Sequence, residues 1–210
     1  MLIGDCKHMN NIQKALENAQ SIWLDSISRD MLRSGELQKF IDLGVTGVTS
    51  NPSIFDKALA ESDTYDESLL EYAKDGADRQ TIFEGLAVDD IRDAADVLRP
   101  VYDNASMRDG FVSIEVSPTL ADDTDGTITE ARRIWGAIDR PNVMIKVPGT
   151  PAGVPAIKML ISEGINVNVT LLFSIDAYIA AANAYIEGLS EFASAARGMT
   201  AGIASVASFF

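Results

Sequence analysis

Histidine and cysteine are almost missing from this 210-residue sequence: His8 and Cys6 stand alone, both in the polar opening stretch. One cysteine excludes an internal disulfide framework and suits a reducing compartment. With His8 as the one histidine, a Ser-His-Asp triad or a His-rich zinc site has almost no material to work with. Both residues read as bystanders. Positive charge is also short. There are 17 Lys and Arg against 31 Asp and Glu, a formal net charge of −14. That balance argues against nucleic-acid phosphate as a partner, and an anionic substrate would need locally placed cations. No apolar run approaches the roughly 18 to 20 residues that span a bilayer, and MLIGDCKHMNN lacks the apolar stretch of a secretory signal. The expectation is a soluble, cytoplasmic protein with no membrane or nucleic-acid partner. Low-complexity linkers and short repeats are absent too, so residues 1–210 read as one domain, with 47% hydrophobic residues to fill a single core.

What is present alternates. Short apolar runs at 21–25, 47–50, 111–115, 143–146, 165–171 and 201–209 read as strands. Helical spacing predicts helices over 10–19, 31–43, 54–59, 65–73, 81–98, 129–138, 155–162 and from a Ser174 or Asp176 cap to about 196. Gly44 fits a helix C-cap, Asn51-Pro52 stops the second strand, and Pro100 is expected to close the long helix. The acidic loop 122–126 lacks the distal Glu of a calcium loop and reads as a helix cap. Arg29 and Arg33 read as helix-surface charges. Strand–helix alternation with few hairpin signals means a parallel α/β architecture. A doubly wound sheet would want Gly-x-Gly-x-x-Gly after its first strand, and none is there. The (β/α)8 barrel fits better, with about six of its eight βα units present.

In such folds ligands bind at the C-terminal ends of the strands. Those ends carry Asp25, Asn51, Glu115, Lys146, Asn168 with Thr170, and Ser208. Lys146 closes the apolar run Val143-Met144-Ile145 and precedes Val147-Pro148-Gly149. An amine leaving the core there is placed where burial lowers a lysine pKa and makes it a nucleophile towards carbonyls. The competing reading is a strand-end lysine whose stem lies on apolar surface and whose ammonium reaches water. Each of the others has a competing reading as a cap or a solvent-facing strand end. Together, two carboxylates, one lysine and several neutral donors are the parts for Schiff-base chemistry with proton transfer.

WLDSI (23–27), TSNPSIF (49–55), SIEVSP (113–118), MIKVPGT (144–150) and GINVNVTLLFS (164–174) resemble the transaldolase family, in the family's order. SIWLDSISRDMLRSGEL further resembles the longer bacterial type, including those fused to glucose-6-phosphate isomerase. The resemblance implies a class I aldolase mechanism with no cofactor and no metal, acting on sugar phosphates of the pentose phosphate pathway. It makes Lys146 the Schiff-base nucleophile and Asp25 the acceptor of the C4 hydroxyl proton. Glu115 becomes the general acid and base, acting through a water held with Thr170. Asn51 and Asn168 bind substrate hydroxyls, and Ser208 lines the pocket. Glu115 favours transfer, because the related fructose-6-phosphate aldolases are expected to place glutamine there. The family also has phosphate-binding arginines and strands seven and eight beyond position 210. The chain is therefore expected to be a C-terminally truncated barrel. The alternatives to transaldolase activity are an inactive self-associating fragment or a fructose-6-phosphate aldolase-like activity, and the open barrel edges offer a route to a homo-oligomer.

Overall fold

Every strand pairs with its sequence neighbour, and every pairing is parallel. The computed structural model describes residues 9–74, 76–195 and 199–209; Cys6, His8, Ala196 and Phe210 lie outside the described residues. The strands are β1 (Trp23–Leu24), β2 (Gly47–Thr49), β3 (Val112–Glu115), β4 (Val143–Pro148), β5 (Val167–Leu172) and β6 (Ser205–Phe209). They form one sheet in the order β1-β2-β3-β4-β5-β6. Parallel neighbours in chain order curl the sheet into a half-barrel with helices around it. The expected α/β class, an incomplete (β/α)8 barrel, is the observed one.

The helices are α1 (Asn11–Glu17), α2 (Arg29–Arg33), α3 (Glu36–Leu43), α4 (Pro52–Glu61), α5 (Asp66–Lys74), α6 (Arg79–Asn104), α7 (Thr124–Ile138), α8 (Gly153–Ser162) and α9 (Ile175–Ser194). Among the described residues none is long and apolar enough to cross a membrane. Polar side chains set most of their starts. Ser28, Asn51, Asp78, Asp123 and Ser174 each accept a backbone N–H from the first turn of the helix that follows. Asp123 thus performs the capping role expected of the acidic loop, and α7 begins at Thr124 rather than 129.

Two further expectations about the helices are wrong. The helix expected over 31–43 is two, α2 and α3, because Gly35 between them adopts φ 73° and turns the chain. Pro100 does not close α6, which continues to Asn104. A proline interrupts one intrahelical bond. Here Leu98 and Tyr102 on either side are both buried, and the Tyr102 ring meets Phe111 edge-on at 5.4 Å. Packing outweighs the missing bond.

Strand alternation divides the apolar residues between two cores. Val112, Ile114, Val143, Ile145, Val147, Val167 and Val169 face outward and join Leu98, Ile134, Ile157 and Leu160 of the helices. Tyr102, Phe111 and Met144 form a smaller inner cluster, with Trp23, Ala204 and Val206 against it. Trp23 fits because position 47 is glycine: a Cβ there would lie 2.5 Å from the indole. Register on β5 then shifts between Val169 and Leu172. Leu171 sits at φ 61°, and this extra residue turns fully buried Leu172 outward into the main core.

Arg29 is not a surface charge. It is 5% exposed, and its Nε donates to Asp90 Oδ1 at 2.8 Å while Nη1 donates to Ser68 at 2.7 Å. Tyr65 donates its hydroxyl to the other Asp90 oxygen at 2.7 Å and accepts the Arg29 backbone N–H. Burial pushes the Asp90 carboxyl up, against the pull of its bonds from Tyr65 and Arg29. The pair therefore acts as a pin between α2, α5 and α6 rather than as a net source of stability. Asp90→Ala, which strands the buried guanidinium, is expected to cost about 3–5 kcal/mol in urea unfolding. The double variant Arg29→Met/Asp90→Leu should recover most of it. A single variant within about 1 kcal/mol of the parent would show that nothing hangs on the pin.

Candidate active site

Parallel register brings three of the expected site residues onto one level. Glu115 at the end of β3 pairs with Lys146 of β4, and Lys146 pairs with Asn168 of β5. All three alternate with outward-facing valines and isoleucines, so all three face the concave side. Lys146 is 9% exposed. Its Nζ donates to the Ser50 carbonyl at 3.0 Å and lies 3.8 Å from Glu115 Oε2. The second distance is an ion pair beyond hydrogen-bond length. Burial raises the Glu115 carboxyl above its ordinary value, and the Lys146 ammonium partly offsets that. A carboxylate raised by desolvation beside an amine is better suited to give and take protons than a free one.

Asn168 is committed on both sides. Its Nδ2 donates to Ser113 Oγ at 3.0 Å, and its Oδ1 accepts from Ser208 Oγ at 3.3 Å. Ser208 of β6 therefore joins the row. Thr170, two residues beyond Asn168, pairs in register with Pro148 and is buried at the same mouth. Asn51 uses its side-chain oxygen to cap α4, accepting from Ile54 N–H at 3.0 Å. Asp25 follows β1 directly, on the parity of Trp23; it is exposed, with no hydrogen bond or ion pair among the described residues. The geometry thus gathers Lys146, Glu115, Asn168 and Ser208, sets Thr170 beside them, and leaves Asp25 at the rim.

Two hollows flank this row. One of about 480 Å³ is lined by Ser50, Asn51, Phe55, Phe83 and Glu115. The other, about 440 Å³ on the concave face, is lined by Trp23, Thr49, Met144, Asn168 and Ser208. Lys146 stands between them, since its register neighbours line one each. Among the described residues no group of three His, Cys, Asp or Glu side chains could hold a metal ion. Sequence reasoning passed over Ser50 and Ser113. The available signal was a buried-strand position given to serine, and for Ser113 also its spacing of two from Glu115.

The model of the transaldolase/fructose-6-phosphate aldolase family matches residues 22–210. The chain belongs to that family. "Transaldolase 2" of Nostoc sp. is 50% identical over 203 residues, covering 96% of this chain and 53% of the relative. The "Transaldolase" of Trichodesmium erythraeum is 53% identical over 198 residues, 93% of this chain and 52% of its own. That of Thiobacillus denitrificans is 51% identical over 184 residues, 87% and 51%. The chain spans about half the length of the curated relatives it matches. Within this transaldolase/aldolase family member, Glu115 has a sign that can be tested. Its folded-state pKa lies above the unfolded one, so the folded chain binds more protons between the two values, and stability falls as pH rises through that window. Glu115→Gln removes the titration, so its stability relative to the parent should grow as pH rises above the ordinary glutamate range and stay flat below it. Urea unfolding across that rise measures it; an advantage that shrinks with pH would mean the Lys146 attraction outweighs burial.

Proposed function

We propose that this chain carries the Schiff-base site of a transaldolase, transferring a dihydroxyacetone unit from a ketose phosphate to an aldose phosphate. The observation that supports it most is the Glu115–Lys146–Asn168 row, with amine and carboxylate 3.8 Å apart in a largely buried setting. Lys146 Nζ adds to the ketone carbon of fructose 6-phosphate or sedoheptulose 7-phosphate. Glu115 protonates the departing hydroxyl through a water shared with Thr170, and water leaves as the imine forms. Asp25 takes the C4 hydroxyl proton, the C3–C4 bond breaks, and its electron pair passes into the protonated imine. The aldose phosphate leaves; a second aldose phosphate accepts the carbanion, and hydrolysis frees Lys146. Asn51 and Asn168 hold hydroxyls of the three-carbon unit, and Ser208 lines the pocket. On this reading the protein is a cytoplasmic pentose phosphate enzyme, with sugar phosphates as partners and with association through the edges of β1 and β6.

The family's name also covers fructose-6-phosphate aldolase, whose reaction would release free dihydroxyacetone without an acceptor. The carboxylate at position 115 weighs towards transfer.

Borohydride reduction of the 210-residue chain with fructose 6-phosphate should attach a three-carbon unit to the Lys146 peptide, read by mass spectrometry. Lys146→Ala should carry none, and Glu115→Gln should slow trapping about 100-fold, the usual scale for a lost general acid. Absence of any adduct on the parent chain would sink the reading.

A further inference from the structure

Ser50 plays no part in that chemistry, yet it ties the nucleophile to its neighbours. It follows the last residue of β2, precedes the Asn51 cap, and is fully buried. Its hydroxyl donates to the Ser113 carbonyl on β3 at 2.7 Å. Its own carbonyl accepts from Lys146 Nζ at 3.0 Å. Ser113 Oγ in turn accepts from Asn168. One short run of hydrogen bonds therefore joins the ends of β2, β3, β4 and β5 around the amine.

We propose that Ser50 is a positioning residue for Lys146: its hydroxyl fixes the carbonyl that aims the amine. This rests on Lys146 being the nucleophile. A lysine stem has four rotatable bonds, and its ammonium can point in many directions. Committing one N–H to a fixed carbonyl restricts where the remaining positions on nitrogen face. β2 ends at Thr49, so on that side the Ser50 carbonyl is held through the serine hydroxyl and its 2.7 Å anchor to β3. Misplacement of a reacting atom by about 1 Å can cost about 100-fold in rate. A buried hydroxyl whose one partner among the described residues is a neighbouring strand's carbonyl would otherwise give the fold a modest, replaceable contact.

Two measurements on Ser50→Ala and Ser50→Cys test it, the second because a thiol keeps the shape while donating weakly. Reductive methylation with formaldehyde and cyanoborohydride reports how freely Lys146 meets a small carbonyl, with no sugar present; Lys158, paired with Glu187 and Glu191 on the surface, is the internal control. Lys146 should methylate at least about threefold faster in the variants, with Lys158 unchanged. Trapping with fructose 6-phosphate should instead slow about tenfold with half-saturating sugar within about twofold of the parent, an opposite sign that a generally loosened fold does not produce. Lys146 methylation at the parent rate in both variants would overturn the role of Ser50. A parent chain that forms no sugar adduct while its Ser50 variants still change Lys146 methylation would overturn the transaldolase reading and leave Ser50 as the anchor of the amine.

Discussion

In a parallel sheet the hydrogen-bond register decides which side chains share a level, and Lys146 shares its level with Glu115 and Asn168. A slip of one residue would turn Lys146 into the layer of valines and isoleucines against the helices, where its charge would have no partner. The outward-facing residues prevent that. Val112, Val143, Ile145, Val147 and Val167 are each wholly buried, and each contributes roughly 1.5–3 kcal/mol of apolar burial that a slipped strand would lose. The chemistry of the concave face is thus held in place by the packing of the convex one. The amine in turn tolerates its burial because the Ser50 carbonyl and the Glu115 carboxylate replace the water it gives up.

The opposite ends of the same strands are held by two buried asparagines. Asn142, just before β4, donates to the carbonyls of Ala95 on α6 and Gly110 before β3. Asn166, just before β5, donates to the Pro141 and Val143 carbonyls and accepts the Ala204 N–H. Each bridges three chain segments, adding side-chain bonds to the backbone ones there, where Val112 N–H donates to the Asn142 carbonyl and Ile145 N–H to the Asn166 carbonyl. With the N-terminal ends fixed by amides and the C-terminal ends joined through Ser50, Ser113 and Asn168, β3, β4 and β5 form a rigid bed. A site whose reacting groups sit on strands clamped at both ends keeps its spacing better than one on free loops.

Strand ends were legible because the signal is local. An apolar run that stops on Glu115 or Lys146 announces both a strand and its exit, and alternation then assigns faces. The resemblance of ordered motifs added roles that spacing alone left open. What escaped was decided across distance. Arg29 and Arg33 look alike in sequence, but Arg29 meets Asp90 and Tyr65 and is buried, whereas Arg33 stays exposed and reaches only the Thr64 carbonyl. Pro100 reads as a stop until Tyr102 is seen against Phe111. Ser50 reads as the last residue of a short strand, and its value lies in a carbonyl and a hydroxyl that face β4 and β3.

The bulge on β5 belongs with these distant decisions, and magnitudes say why it persists. A leucine in the left-handed region costs about 1–2 kcal/mol, and Leu171 accepts that cost while remaining half exposed. Regular alternation from Asn168 would point both Thr170 and Leu172 into the concave face, placing a large apolar side chain at the mouth of the row. With the extra residue, Thr170 stays on the side of Asn168, while Leu172 turns outward, is wholly buried, and packs where Gly149 leaves room for it. Burying Leu172 returns about 1.5–3 kcal/mol, enough to offset the strain at Leu171. The strand therefore supplies polar groups at two consecutive inward positions and an apolar group to the core immediately after them. Strict alternation could not have met both demands within six residues.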